Sequence, residues 1–118
     1  MVILKKTTIF FASMLICIPS FSASQITGGV LYELCKSEDT YQLGTCDGYI
    51  FGVVDAIHAG HLSNHFKVCL PAGLTAAQLR LSIRKHMENS PENLQYLADG
   101  KVAEALATFF PCQKDSSE

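Results

Sequence analysis

The chain has no cluster of lysine and arginine, no internal repeat, no low-complexity run and no apolar stretch of transmembrane length. Each absence removes a class. Nucleic-acid binding wants clustered basic side chains, and here nine Lys plus Arg are outnumbered by eleven Asp plus Glu. A membrane-crossing helix needs roughly 20 consecutive apolar residues, and the long apolar run at residues 7–18 is shorter than that. Nothing like a linker divides the chain, so a single domain is expected. A catalytic set is also missing: a nucleophile needs an adjacent base and an orienting third group, and no Ser, His and acid trio has that arrangement. Asp47 and Asp55 are eight residues apart on one predicted helix, and without a pocket such a pair reads as a solvated face. The chain is read as no enzyme, with no cofactor.

What is present begins with an export signal over residues 1–23. Lys5 and Lys6 supply a short positive region, residues 7–18 an uncharged apolar stretch, and Pro19 breaks it ahead of Ser20, Ser22, Ala23 and Ser24. Cleavage is expected between Ser22 and Gln25, with one to two residues of latitude because Phe21 suits a cut after Ala23 poorly. Ile16 stands where a lipid-attachment site wants a small residue, so Cys17 is read as discarded with the signal. Removing Lys5 and Lys6 leaves seven basic against eleven acidic residues, a formal charge of −4. That balance permits a basic partner drawn by complementary charge. It is equally the surface of a merely soluble protein.

Four cysteines remain: Cys35, Cys46, Cys69 and Cys112. An even count downstream of a secretion signal reads as two disulfides in a small exported domain. The roughly 95 residues left can build only a small core, so covalent staples matter. Residues 24–112 are read as one helical domain and residues 113–118 as a polar tail.

Hydrophobic spacing predicts an all-α fold, a small disulfide-stapled bundle of four to five helices. Thr27 caps a first helix to about residue 36, with Val30, Leu31 and Leu34 at helical spacing. A second helix is expected to start near Thr45, turning Cys46, Ile50, Val53, Val54 and Ile57 into the core. Gly48, Gly52, Ala56 and Gly60 recur every four residues as a smooth ridge on it. Interior glycines cost about 1 kcal/mol each, so a close neighbour should compensate. A helix of the same domain is the preferred neighbour, a second copy of the chain the other. Thr75 and Gln78 form a capping box for a third helix, with Leu74 and Leu79 as its hydrophobic staple. There Leu79, Ile83 and Met87 face inward, while Leu81 lies off the stripe as an exposed contact. Ser90 and Pro91 open a short helix to Ala98. After Asp99 and Gly100, the residues Val102, Ala105, Leu106, Phe109 and Phe110 mark a last helix that Pro111 ends.

Four cysteines allow three connectivities. Of these, the layout favours Cys35 with Cys46, across a hairpin of the first two helices, and Cys69 with Cys112.

The run Cys46-Asp47-Gly48-Tyr49-Ile50-Phe51-Gly52 is followed by Cys69-Leu70-Pro71-Ala72-Gly73-Leu74-Thr75 with Gln78-Leu79, then by Ser90-Pro91-Glu92-Asn93-Leu94. Ala105-Leu106 ahead of Phe109-Phe110-Pro111-Cys112 completes the series. Together these resemble the Rap/Tai group, periplasmic immunity proteins that protect bacteria from amidase effectors of the type VI secretion system. The resemblance implies an exported periplasmic protein, commonly a homodimer, that binds a cognate cysteine amidase and blocks its active site without performing chemistry. It also implies a protruding inhibitory segment. The positional match is Glu88, Asn89, Ser90, Glu92 and Asn93, with Tyr96 one turn on. A proline-stiffened polar loop enters a cleft at little ordering cost, although helix initiation explains Ser90 and Pro91 equally well.

His58, His61 and His65, with Asn64 among them, depart from that pattern. They would share one helical face if the second helix continued so far, as in some metal sites, but Gly60 and Asn64 argue against it, and no metal ligand set is assigned. Two other functions stand beside the immunity reading. One is a periplasmic acid-stress chaperone that exposes Leu81 and its neighbours at low pH. The other is a small metal-binding protein using the 58–65 histidine stretch.

Overall fold

The computed structural model describes residues 25–62 and 65–113. The export signal, Asn64 and the end of the polar tail lie outside the described residues. Four helices follow in order: α1 (Gly28–Lys36), α2 (Thr40–His58), α3 (Ala76–Asn89) and α4 (Ala98–Phe109), with a 3₁₀ turn at Pro91–Asn93. Among the described residues there is no strand, only isolated antiparallel bridges at Thr27–Leu97 and Val68–Pro111. The protein is a small all-α bundle with two disulfides, Cys35–Cys46 and Cys69–Cys112.

Local chemistry sets most helix ends. The Thr27 hydroxyl accepts from the Val30 amide and starts α1. Thr75 and Gln78 complete the reciprocal capping box of α3, and Leu74 packs partly buried against the core that contains Leu79. α2 begins at Thr40, five residues before the sequence expectation. The Asp39 carboxylate accepts from the Gln42 amide and caps an extra turn that runs through Gly44. Cys46 therefore sits in the second turn of α2, already facing inward.

Each helix packs against each of the other three. α1 buries Leu31 and Cys35; α2 buries Cys46, Ile50, Val53 and Val54; α3 buries Leu79, Ile83 and Met87. α4 contributes Val102 and Leu106 together with Ala98, Ala103 and Ala105, whose small side chains let its neighbours come close. Among the described residues no polar or charged one is buried. Each fully buried leucine, isoleucine or methionine contributes ~1.5–3 kcal/mol.

Two expectations fail here. The glycine ridge of α2 does not meet a helix of this domain: a Cβ built on Gly48 or Gly52 has no neighbour within 4 Å. Gly60 has already left the helix, with φ of 74° after the Ala59 C-cap. The inward stripe had taken the other face of α2, so the ridge is left pointing outward. The short helix expected from Ser90 to Ala98 shrinks to the 3₁₀ turn, and the Ser90 side chain makes no cap bond. Its chain is held by α1 instead. Gly28 donates its amide to the Tyr96 carbonyl at 2.8 Å, Gly29 to the Leu94 carbonyl at 2.8 Å, and Ala98 to the Ile26 carbonyl at 2.9 Å. The first amides of a helix lack intrahelical partners, and residues 94–96 satisfy two of them. That crossing explains Gly28, where an added Cβ would lie 3.3 Å from the Leu94 carbonyl oxygen. With the Ala98 amide satisfied by Ile26, α4 starts at Ala98, three residues before the sequence expectation.

Candidate partner-binding surface

The segment between α3 and α4 is exposed and yet pinned at both ends. Inside it, Asn93 donates to the Ser90 carbonyl, Leu94 to that of Pro91 and Tyr96 to that of Asn93, at 3.1–3.3 Å. Proline at the first position of the turn fixes φ without forfeiting a bond. A chain held this way has little conformational entropy left to lose on binding.

The sequence-predicted contact residues fall on this segment in two groups. Asn89, Glu92 and Tyr96 are exposed, Tyr96 at 57%. Ser90 and Asn93 are half-buried. Glu88 is exposed but engaged: its carboxylate accepts from the Tyr32 hydroxyl at 3.2 Å and lies 3.6 Å from the Arg84 guanidinium. Lys101 places its ammonium 5.7 Å from the Tyr96 ring and 2.6 Å from the Glu104 carboxylate. The hydrogen bond from Lys101 holds the Glu104 carboxyl below the usual glutamate range, against some desolvation, with Lys101 and His86 adding charge attraction.

Beside this segment opens a cleft of about 280 Å³ lined by Gln25, Ile26, Tyr49, Leu97 and Asp99. Leu97 belongs to both features. Burial pushes the Tyr49 phenol above its ordinary range, and the Asp99 charge pushes the same way, against a hydrogen bond that the phenol oxygen accepts from the Asp99 backbone amide. The cleft escaped sequence reasoning because its walls come from the segment before α1, from α2 and from the start of α4. No local spacing links them.

Other candidates are dispersed or already engaged. All four cysteines are in disulfides. Asp47 accepts from Arg80 at 2.5 and 2.6 Å, joining α2 to α3, while Asp55 is exposed. His58 ends α2, so His61 and His65 lie beyond the helix and the three do not share its face. Among the described residues no group of three or more His, Cys, Asp or Glu is placed to hold a metal ion.

A family model described as Rap1a immunity proteins matches residues 27–112, from the cap of α1 to the last half-cystine. The chain belongs to the Rap1a immunity protein family. As an immunity protein it implies a cognate secreted effector as its binding partner. Comparison with curated proteins and with solved structures yields no match. Among the described residues no helix is long and apolar enough to cross a membrane.

Proposed function

We propose that this protein binds a cognate type VI secreted peptidoglycan amidase in the periplasm and blocks its active site, protecting the producing cell from its own toxin. In this reading residues 1–23 direct export and are removed, and residues 24–112 form the immunity domain. The family match over residues 27–112 carries the reading. Its structural support is the pinned segment that presents Asn89, Glu92 and Tyr96 to solvent. Such a segment suits an enzyme cleft, because rigidity set before binding lowers the ordering cost of the complex. Chemistry by the immunity protein itself is not required.

The protein acts as a homodimer in this proposal. The outward face of α2 carries Gly44, Gly48 and Gly52 with no neighbour within 4 Å of an added Cβ, and the same helix exposes Tyr41 at 83% and Phe51 at 45%. Three solvent-facing helix glycines cost about 1 kcal/mol apiece, a cost that close approach of a second helix would offset. Sedimentation of the mature protein is expected to give a dimer, and Gly48→Leu a monomer.

The functional test is direct. A cognate secreted cysteine amidase, sought first in the reading frame adjacent to this gene and mixed with mature protein, should lose peptidoglycan cleavage at stoichiometric ratio. Reversing charge with Glu92→Lys should weaken inhibition without lowering the melting temperature, because Glu92 is exposed and has no ion pair among the described residues. Full cleavage in the presence of excess wild-type protein would refute the proposal.

A further inference from the structure

The cleft beside residues 94–97 has a specific chemical character. Ile26, Leu97 and the Tyr49 ring give it apolar walls, and Asp99 supplies an acidic group. At about 280 Å³ it falls just below the ~300–1,000 Å³ of pockets that hold small-molecule ligands. One long side chain is a better match. We propose that this cleft receives an arginine side chain of the effector, with its stem along Ile26 and Leu97 and its guanidinium on the Asp99 carboxylate beside Tyr49. The inference rests on the effector-binding reading above and adds to it the anchor and its receptor.

Charge is the first argument. The Asp99 side chain accepts from the neighbouring Gly100 amide at 2.7 Å, and among the described residues it has no cationic partner. The nearby Lys101 is committed to Glu104 and to the Tyr96 ring. A carboxylate in partly apolar surroundings with spare acceptor capacity suits a charge-assisted hydrogen bond. Arginine fits better than lysine, since its planar fork bonds a carboxylate, lies on an aromatic face and is weakly hydrated. The second argument is continuity: Leu97 is 44% exposed, follows Tyr96 directly and forms one wall of the cleft. An anchor seated here would be flanked by the exposed contact segment, the arrangement in which interface pockets carry most binding energy. Third, the cleft is set before binding, because the bonds from Gly28 to Tyr96 and from Ala98 to Ile26 fix two of its walls.

The test is calorimetric titration of the mature protein with the cognate cysteine amidase of the proposed function. Asp99→Asn keeps the side chain's size and its acceptor for the Gly100 amide while removing the charge. It should weaken the complex roughly 10- to 100-fold, the range for a lost hydrogen bond to a charged group. Single Arg→Ala changes across the amidase surface leave this protein untouched. One of them should cost a similar factor, and the same change should cost little more in the Asp99→Asn background. Binding of Asp99→Asn within twofold of wild type would overturn the inference, as would an arginine scan with no coupled position. A lower melting temperature with unchanged affinity would also overturn it, by pointing to the chain's own N-terminal amine as the occupant. Wild-type protein that fails to bind the amidase would refute the effector reading itself, whereas wild-type binding with an indifferent Asp99 refutes the cleft alone.

Discussion

Cys35–Cys46 and Cys69–Cys112 staple the same small domain in opposite surroundings. The first joins α1 to α2 with both half-cystines buried, at 1% and 0% exposure, among Leu31, Ile50 and the rest of the core. The second joins the irregular stretch before α3 to the chain just past α4, with Cys69 exposed and Cys112 half-buried. Around it the chain holds by the Cys69 amide on the Phe110 carbonyl at 2.9 Å, the Val68–Pro111 bridge, and Val68, the one buried residue among those described in that stretch. Chain entropy alone ranks the outer staple higher, since it closes a separation of 43 residues against 11, or ~4 against ~3 kcal/mol. Burial reverses the order. Removing the inner pair also takes two sulfurs out of a close-packed core, adding a transfer and cavity term that an exposed sulfur does not carry. The inner disulfide is a piece of the core, and the outer one tethers a stretch that the core grips more lightly, through Val68 and the partly buried Phe66, Leu70 and Leu74.

The largest effect should therefore come from Cys35→Ala with Cys46→Ala, at about 4–6 kcal/mol. In a domain of this size that lowers Tm by at least ~20 °C in a thermal melt followed by circular dichroism. Cys69→Ser with Cys112→Ser should cost less, about 2–4 kcal/mol. Equal losses would break the comparison. It can be sharpened kinetically: a limiting thiol should reduce Cys69–Cys112 first, because exchange needs access to sulfur. Peptide mapping after trapping would reverse the account if Cys35 and Cys46 were alkylated earlier.

A smaller change probes the junction between the two regions. Thr75→Ala removes one half of the capping box six residues after Cys69 and should cost about 1 kcal/mol, or 4–8 °C in Tm. Losing nothing would mean that the tether alone sets the start of α3.

The smallest effect is electrostatic and belongs to the rim. Glu104 has a folded-state value below its ordinary one, so the folded protein binds a proton there less readily than the unfolded chain. Its contribution is present above the unfolded glutamate range and is lost as pH falls through the lowered folded value. The side chain is 47% exposed, and solvent screening limits the effect to roughly 0.3 kcal/mol. Urea midpoints at pH 6 and pH 3 should differ slightly more for wild type than for Glu104→Gln, with the staples intact in both.

Sequence legibility follows the range of the interactions. The cap at Thr27, the box at Thr75 and Gln78, and the inward stripes of α2 and α3 depend on residues within a turn or two, and all were readable. The apolar stripe of α2 opens only at Cys46, which places its expected start near Thr45, although Asp39 caps a helix that begins at Thr40. The turn after Pro91 was overextended because its competitor, the start of α1, lies some 60 residues away in sequence and takes the backbone carbonyls of Leu94 and Tyr96. The contact segment was assigned through resemblance to a family. The cleft beside it had no local signature, since Ile26, Tyr49, Leu97 and Asp99 meet only when the segment before α1, α2 and the start of α4 come together.

The claim at the centre is that a rigid outer surface of this stapled bundle captures an effector. Under the proposed function, inhibition of a cognate cysteine amidase by the oxidised protein, titrated against Tyr96→Ala under the same conditions, tests it most directly. The account predicts stoichiometric inhibition by wild type and at least tenfold weaker inhibition by the variant at an unchanged melting temperature. Undiminished peptidoglycan cleavage with wild type, or equal inhibition by both proteins, would contradict it.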